Sequence, residues 1–210
     1  MMKYDWNFIK KTVKGYQKEK RYLHTEGVSK EAKALARLFL PQKEDKLYLA
    51  GLLHDITKDY CKEEHLNMCN EFGIAVPNGI APKLLHAKTG AAFAQKLFGR
   101  EYVDDEVYGA IYYHTTGREN MTLFEMLIYL ADYIEEGRTF EDCVVLRKFF
   151  YDNIASAKTY NDKLEVLRKT MIFSFDLTIK NLILEEKLID NDTINARNYF
   201  LTCKLVQKEI

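Results

Sequence analysis

The feature that most constrains the fold of this chain is the helical periodicity of its apolar residues, which continues along almost the whole sequence. The 210 residues include only three prolines and ten glycines, and alternating runs of β-branched residues bounded by turn residues are scarce. Such a pattern is typical of helices and disfavours strands. We therefore predict an all-α fold in which amphipathic helices pack into a bundle around one core.

The length and the even composition predict a single domain over residues 1–210. A chain of this length buries a sizeable core without disulfides, and no internal repeat, low-complexity tract or change of composition marks a boundary. We expect a core bundle over about residues 20–140 and additional C-terminal helices over residues 141–210.

Capping residues and apolar spacing place the individual helices. Asp5, Asp45 and Thr122 are predicted N-caps, and Gly73 and Gly137 are predicted stops. The third helix begins after Asp45 and is expected to carry the adjacent His54 and Asp55. The other predicted helices cover about residues 6–17, 21–40, 62–72, 82–98, 103–114, 123–136, 141–157, 161–188 and 193–208, and Pro77-Asn78-Gly79 is a predicted turn.

Charge and cysteine usage exclude several classes of protein. Lys plus Arg equals Asp plus Glu, which gives no support for direct nucleic-acid binding or a polybasic membrane surface. No apolar run approaches the roughly 20 residues that span a bilayer, and the N-terminal residues lack the apolar stretch of a signal peptide. Free thiols in a reducing, cytoplasmic setting are expected, because no CxxC pair occurs among the four cysteines, Cys61, Cys69, Cys143 and Cys203.

The sequence around His54 and Asp55 is the first candidate functional site. An apolar run that includes Leu52 and Leu53 leads directly into this adjacent imidazole and carboxylate. Such a pair on a rigid, buried element is suited to bind a metal ion. Taken alone, however, it is more often a hydrogen-bonded core histidine beside a solvated carboxylate. The positions of the other histidines therefore decide between the two interpretations.

Those histidines favour a metal site. His24, His86 and His114 each fall on a different predicted helix with apolar neighbours, and Asp132 supplies a further carboxylate. Helical bundles build metal sites by projecting one or two ligands inward from several helices. Imidazole and carboxylate ligands without thiolates suit iron, manganese, zinc, cobalt or nickel.

Six such ligands exceed the needs of one tetrahedral ion, so we predict two ions. Asp55 is expected to bridge them. The first ion is assigned the ligands His24, His54, Asp55 and Asp132, and the second ion is assigned His86, His114 and Asp55.

The order of these residues resembles the HD superfamily of metal-dependent phosphohydrolases, and His86 and His114 resemble those of its dinuclear branch. Further segments are similar to the YqeK family of bacterial symmetrical diadenosine-tetraphosphate hydrolases, which use iron. The similarity runs from about Arg21 to Tyr199. The segments that carry it are Arg21-Tyr-Leu-His24 with Gly27-Val28, Leu53-His54-Asp55-Ile-Thr-Lys58, Leu85-His86, Tyr113-His114-Thr-Thr-Gly117-Arg118, Ala131-Asp132-Tyr-Ile-Glu135, Arg138 and Ala196-Arg197-Asn198.

This resemblance implies an enzyme with an HD-domain helical bundle. Its reaction is the hydrolysis of diadenosine tetraphosphate in the middle of the tetraphosphate bridge, which yields two ADP, by a water activated by two divalent metal ions. Iron is the implied metal, with manganese, cobalt or zinc as alternatives. One departure is Glu136 before Gly137, where the family often has proline, and this affects only the local turn.

Positive charge near the ligands is expected to hold the polyphosphate. Lys58 lies about one turn beyond His54, and Arg21 lies about one turn before His24. Arg118 and Arg138 are further candidates for substrate binding, and ordinary ion pairing is their alternative role. Lys58 and Asp59 are the candidate catalytic side chains, although Asp59 is equally suited to contact solvent. His65, between acidic and amide residues on a short amphipathic helix, is expected to be solvated. Most tyrosines are expected in the core, and one or two would stack on adenine, but the sequence does not choose among them; the set includes Tyr22, Tyr60, Tyr112, Tyr113, Tyr129 and Tyr133.

Two alternatives to this function remain at the level of sequence. An HD-type nucleotidase or alarmone hydrolase would use the same metal ligands on another nucleotide, because the ligands dictate hydrolysis and not the leaving group. A non-catalytic HD module that senses nucleotides would bind without turnover. The expected partner in either enzymatic case is a nucleotide, with a dinucleoside polyphosphate preferred, and a homodimer is left open.

Overall fold

The computed structural model describes residues 4–76 and 81–205, and within these ranges the chain is helical without any strand. The all-α prediction is therefore confirmed. The predicted turn at Pro77-Asn78-Gly79 lies outside the described residues. The helices are α1 (Trp6–Tyr16), α2 (Glu19–Phe39), α3 (Glu44–Leu53), α4 (Lys62–Phe72), α5 (Leu85–Phe98), α6 (Asp105–Tyr113), α7 (Leu123–Ile134), α8 (Glu141–Ile154), α9 (Tyr160–Leu184) and α10 (Asn191–Thr202), with 3-10 turns at Pro41–Lys43 and Pro82–Leu84.

The centre of the fold is formed by α2, α3 and α7, which pack against one another. Helix α7 is apolar around most of its circumference, and its residues 124–131 are all buried. A helix with this composition is stable only when other helices cover it on several sides. Helices α5 and α6 pack together beside this centre, while α9 packs against α8 and α10.

A very close approach between α2 and α3 fixes the position of the segment that follows α3. A Cβ atom added to Gly51 would lie 2.7 Å from the Cα of Ser29 on α2. Only a glycine allows two helix backbones to approach this closely. The last turn of α3 consequently lies directly on α2, and the residues that follow it begin beside His24.

The sequence-based prediction for the third helix was wrong at both ends. Asp45 is not its N-cap: the helix begins at Glu44 after the 3-10 turn, and the Asp45 carboxylate accepts a hydrogen bond from Lys33 at 2.9 Å. His54 and Asp55 lie just beyond the helix rather than within it. The chain there forms successive tight turns, in which the N–H of Ile56 donates to the carbonyl of Leu53. These turns let adjacent side chains face the same interior region.

Helix α7 also ends earlier than predicted. Its capping box at Thr122 and Glu125 is as expected, but the helix stops at Ile134 instead of continuing to Glu136. Glu135 has an extended backbone, with φ −57° and ψ 146°. The Arg147 side chain on α8 donates hydrogen bonds to the carbonyls of Ile134 and Glu135 and thereby holds this turn. The C-terminal helices thus stabilise the end of α7.

The remaining boundaries agree with the prediction to within a few residues. Asp5 caps α1 by accepting a hydrogen bond from the Phe8 N–H at 3.0 Å, and Gly73 ends α4 in the left-handed conformation with φ 65°. Helix α10 ends at Thr202, whereas the predicted helix continued to residue 208, and residues 206–208 lie outside the described ranges.

No helix among residues 4–76 and 81–205 combines the length and the apolar character needed to cross a bilayer.

Candidate metal centre

The first group of predicted ligands converges between α2, α7 and the turn after α3. His24 Nε2 lies 3.0 Å from Asp132 Oδ1 and 3.8 Å from Asp55 Oδ2. His54 Nε2 lies 3.5 Å from Asp55 Oδ2 and 3.7 Å from Asp132 Oδ1. Two imidazole nitrogens and two carboxylates therefore surround one small region.

The second group lies on the other side of the same carboxylate. His86, near the start of α5, places Nε2 3.1 Å from Asp55 Oδ1. His114, just after α6, places Nε2 3.4 Å from the same oxygen and 3.1 Å from His86 Nε2. Asp55 thus directs one oxygen toward each pair of histidines. The division of these ligands between two ions stays a prediction, because the atoms close enough to share one ion on this side belong to His54, Asp55 and His114.

Hydrogen bonds at the opposite ring nitrogen fix the orientation of three histidines. The Nδ1 atoms of His54, His86 and His114 lie 2.6–2.7 Å from the carbonyl oxygen three residues earlier in the chain. A carbonyl only accepts, so each Nδ1 carries the proton and each Nε2 presents a lone pair toward the centre. This is the tautomer that binds a metal ion through Nε2.

His24 is oriented by the carboxylate of Glu135 instead. From the sequence, no role was assigned to Glu135. His24 Nδ1 lies 3.0 Å from Glu135 Oε1, so Nδ1 donates and Nε2 again presents a lone pair. Glu135 Oε2 accepts a hydrogen bond from the Gly137 N–H at 2.6 Å. The sequence signal that could have indicated this role for Glu135 is its spacing, since it follows Asp132 by three residues.

The donor atoms fit a divalent cation. His24 Nε2, His54 Nε2 and Asp55 Oδ1 are buried without a hydrogen-bond partner among the described residues. Lone pairs that face carboxylate oxygens at these distances repel one another unless a positive charge lies between them. Two sets of residues have ligand atoms close enough to share an ion: His24, His54 and Asp132, and His54, Asp55 and His114.

The electrostatics of the site agree with this interpretation. Burial lowers the pKa of His54, but the neighbouring Asp55 and Asp132 carboxylates outweigh burial and raise the pKa to about 9. The site therefore attracts a positive charge at this nitrogen. Burial also opposes ionisation of the two carboxylates, yet the imidazole neighbours of Asp55 and the Arg138 guanidinium beside Asp132 hold both pKa values well below the usual range.

The second pair of histidines is held neutral. Burial lowers the pKa of His86 to about 4, and burial likewise lowers the pKa of His114. Neutral imidazoles and ionised carboxylates are the protonation states that bind divalent metal ions. His86, His114 and the two carboxylates are thus in their metal-binding forms near neutral pH, whereas His54, with a pKa of about 9, releases a proton when a metal ion binds.

Three cations border the ligand cluster. Arg21 Nη1 donates to Asp55 Oδ2 at 2.7 Å, and Arg138 donates to Asp132 Oδ1. Lys58 Nζ lies 3.0 Å from His86 Nε2, and burial lowers the pKa of this lysine. All three positive side chains are therefore close enough to meet an anion bound at the centre.

The other two candidate side chains lie differently. Arg118 donates to the Glu125 carboxylate at 3.1 Å, and its guanidinium lies 5.1 Å from the ring centroid of Tyr113. Asp59 Oδ2 accepts a hydrogen bond from the N–H of Lys18 at 2.8 Å, at the start of α2. Both have roles within the fold, and their predicted contact with substrate or transferred protons stays a prediction.

The expectation that His65 is solvated was wrong. Its side chain is buried, and His65 Nδ1 hydrogen-bonds with Thr89 Oγ1 at 2.8 Å. The spacing explains the error: Met68 and Cys69 follow His65 by three and four residues, and both are buried. His65 therefore belongs to the buried face of α4, despite its acidic neighbours in the sequence.

A cavity of about 520 Å³ opens from the ligand cluster toward the C-terminal helices. We call it the α9 cavity. His114, Asp132 and Arg138 line its inner end, while Thr178 and Asn181 of α9 line its wall. The volume lies within the range of roughly 300–1,000 Å³ that is typical of small-molecule sites. The ligand cluster is thus accessible to a substrate of nucleotide size.

The HD domain family matches residues 21–137, more than half of the chain. The chain is 33% identical over 196 residues to the symmetrical bis(5'-nucleosyl)-tetraphosphatase of Staphylococcus aureus, an alignment that covers 91% of this chain and 92% of the relative. It is 36% identical over 162 residues to the protein of the same name in Bacillus subtilis, covering 77% and 83% of the two chains.

A solved structure with a similar fold is an HD superfamily hydrolase described as involved in NAD metabolism, from Clostridium acetobutylicum. It superimposes with a TM-score of 0.82 at 34% sequence identity, and the alignment covers 96% of this chain and 99% of that chain. The similarity therefore includes the C-terminal helices as well as the core bundle.

Proposed function

The chain belongs to the HD-domain family and, within it, to the symmetrical bis(5'-nucleosyl)-tetraphosphatases, and on this premise we propose that it cleaves diadenosine tetraphosphate in the middle of the phosphate bridge to give two ADP. The chain is a hydrolase that acts on an acid anhydride. The observation that carries the proposal is the position of Asp55, whose two oxygens face separate pairs of histidines beside three cations.

Two divalent ions are assigned to this centre. His24, His54, Asp55 and Asp132 would hold one ion, and His86, His114 and Asp55 would hold the other. Iron is the proposed metal, with manganese, cobalt or zinc as the alternatives that the same ligands accept. When bound, divalent ions make water a stronger nucleophile and neutralise charge on phosphoryl oxygens.

The protein's own cations are proposed to bind the polyphosphate. Arg21 and Arg138 are already fixed by hydrogen bonds to ligand carboxylates, so they add positive charge to the centre without further ordering. Lys58 contributes a third positive charge beside His86. A tetraphosphate carries several negative charges, and fixed cations that face it in a partly buried site stabilise both binding and the charge that develops during cleavage.

Rigid support of the ligands is the second contribution of the chain. Three backbone carbonyls and the Glu135 carboxylate hold the imidazole rings in one tautomer and one orientation. Gln17 also donates a hydrogen bond to the Asp55 carbonyl at 2.9 Å and so fixes the backbone of the shared ligand. The ligand geometry therefore needs little rearrangement during the reaction.

A substrate panel tests the proposal. Protein loaded anaerobically with Fe²⁺, and separately with Mn²⁺, Co²⁺ or Zn²⁺, is assayed with diadenosine tetraphosphate, AMP and guanosine tetraphosphate. The highest kcat/KM is expected for diadenosine tetraphosphate. A higher value for AMP or guanosine tetraphosphate would favour the nucleotidase or alarmone hydrolase alternative, and binding without turnover of any substrate would favour the sensing module. Asp55→Asn is the inactive control.

The cytoplasmic location remains part of the proposal. The four cysteines are free in the structure, as a reducing compartment requires. Fractionation of cells that express the protein, with the activity recovered in the cytoplasmic fraction, is the corresponding measurement.

A further inference from the structure

A second cavity adjoins the ligand cluster at Lys58 and His86. Its volume is about 230 Å³, and we call it the α4 cavity. His86 lines the α4 cavity and His114 lines the α9 cavity, and the Nε2 atoms of these two ligands lie 3.1 Å apart. Lys83, in the 3-10 turn before α5, lines both cavities. The two cavities therefore meet at the metal centre.

We propose that the α4 cavity binds one nucleotide half of the substrate while the α9 cavity binds the other half. This inference rests on the proposed function and identifies where each half is bound. The residues assigned to the new subsite are Tyr60, Lys62, His65 and Lys83, next to Lys58 and His86 of the centre.

The route of the substrate supports two subsites. Symmetrical cleavage requires the middle of the tetraphosphate bridge to lie at the metal centre, so the two identical halves leave the centre in different directions. The α9 cavity of about 520 Å³ suits one nucleotide. The α4 cavity is the space that adjoins the centre on the side of His86, and it is open to the second half.

The charge of the α4 cavity fits a polyphosphate. Lys58, Lys62 and Lys83 line it, and none of the described residues that line it carries a carboxylate. The α9 cavity, in contrast, includes Asp142 and Glu185 in its lining. A cavity lined by three ammonium groups and by no carboxylate of its own attracts anions, and phosphate oxygens accept hydrogen bonds from ammonium groups.

The remaining lining suits a nucleoside. Tyr60 is partly exposed, and its ring centroid lies 6.2 Å from that of His65, so an aromatic surface borders the cavity. Nucleobases stack on such surfaces with little dependence on their identity. Thr89 Oγ1 donates to the Leu85 carbonyl at 2.9 Å, so it accepts from His65 Nδ1. His65 Nε2 is then the ring nitrogen that remains to accept a hydrogen bond from a ribose hydroxyl or an amino group.

Product binding gives a test that does not depend on turnover. The metal-loaded protein is titrated with ADP by isothermal calorimetry. Two ADP per chain are expected for the unmodified protein, and one ADP per chain is expected for the double variant Tyr60→Leu/Lys62→Ala, because these two side chains line the α4 cavity and not the α9 cavity. Lys11→Ala, at an exposed position on α1, is the matched control and should retain two sites. A single ADP site in the unmodified protein would overturn the proposal.

Kinetics test the nucleoside contact separately. Diadenosine tetraphosphate is compared with adenosine 5'-tetraphosphate, which has one nucleoside. Tyr60→Leu is expected to lower kcat/KM for the dinucleotide at least about fivefold, as loss of a stacking contact predicts, and to leave the mononucleotide almost unchanged. Tyr16→Leu is the control, because Tyr16 packs against Phe93 at 5.1 Å as Tyr60 does at 6.3 Å but lines neither cavity.

These results separate the subsite from the function. If the unmodified protein releases only ADP but Tyr60→Leu and Tyr16→Leu behave alike, the second subsite is refuted and the function stands. If the protein binds two ADP and releases none from the dinucleotide, the function fails and the second subsite stands. Equal losses on both substrates in Tyr60→Leu, with Tyr16→Leu unaffected, would also contradict the subsite, because a contact with the second nucleoside affects only the dinucleotide.

Discussion

His24 on α2 and Glu135 beyond the end of α7 are joined by a hydrogen bond of 3.0 Å between Nδ1 and Oε1. The carboxylate fixes the imidazole so that Nε2 faces Asp132 and Asp55. Gly27, one turn along α2, leaves the space that Glu135 occupies, since a Cβ atom there would overlap the carboxylate. The end of α7 therefore supplies Asp132, a predicted metal ligand, and is followed by Glu135, which orients the predicted ligand His24 on α2.

Replacing Glu135 by glutamine should weaken metal binding. Glutamine keeps the shape and one acceptor but removes the charge that makes the imidazole a better ligand. We expect the metal affinity to fall roughly 10–100-fold, measured by competition with a chromophoric chelator. Glu136→Gln, an exposed neighbour, is the control and should leave the affinity unchanged. Equal affinities for the two variants would show that Glu135 does not tune His24.

Replacing Gly51 by alanine should destabilise the protein. The added Cβ would lie 2.7 Å from the Ser29 Cα, so α2 and α3 must move apart. Strain of this kind typically lowers the free energy of unfolding by about 1–3 kcal/mol. Urea unfolding measures the change.

Gly15→Ala is the matched control for this variant. Gly15 lies in α1, and a Cβ atom there would meet nothing within 4 Å. Alanine has the higher helix propensity, so this substitution should stabilise the protein by up to about 1 kcal/mol. Gly51→Ala with unchanged stability would contradict the close approach of the two helices.

The metal-free protein should lose stability as the pH falls from about 6.5 toward about 4. Burial lowers the pKa of His86 to about 4 in the folded chain, whereas the imidazole of an unfolded chain takes up a proton near 6.5. The unfolded state therefore binds more protons in this window, and stability must decrease with decreasing pH. Urea unfolding of chelator-treated protein at several pH values measures the slope. His86→Asn should flatten it, and an unchanged slope would contradict the neutral state of His86.

Asp55→Ala and Lys58→Ala should separate metal binding from substrate binding. Asp55 directs oxygens to both pairs of histidines, so its removal should abolish bound metal and activity together. Lys58→Ala should retain the metal while kcat/KM falls roughly tenfold, the loss expected for one charge-assisted hydrogen bond. Metal analysis of the purified variants, beside turnover, decides the outcome. Full activity in Asp55→Ala would refute the assignment of the centre.

The sequence predicted the helical class and the set of residues that converge, because helical periodicity and residue type are local properties. The six predicted ligands can be recognised from residue type and sequence position without knowing how the helices pack. The convergence itself depends on Gly51, whose close contact with Ser29 involves two residues 22 positions apart. No local pattern indicates such a contact.

The errors occurred where tertiary contacts outweigh local preference. Glu135 was placed inside a helix, but its side chain turns toward His24 while the Arg147 side chain holds its carbonyl. His65 was expected in solvent because of its acidic neighbours, yet Thr89 on α5 provides a buried hydrogen-bond partner. His24, which contacts Glu135, and Thr89, which contacts His65, both lie far from those residues in the sequence.

The distribution of early products tests the central claim most directly. The iron-loaded protein is incubated anaerobically with diadenosine tetraphosphate, and the nucleotides released during the first few per cent of turnover are separated by anion-exchange chromatography. Cleavage at the middle of the bridge predicts ADP as the only nucleotide product, at two equivalents for each substrate consumed. Equal amounts of AMP and ATP would contradict symmetrical cleavage.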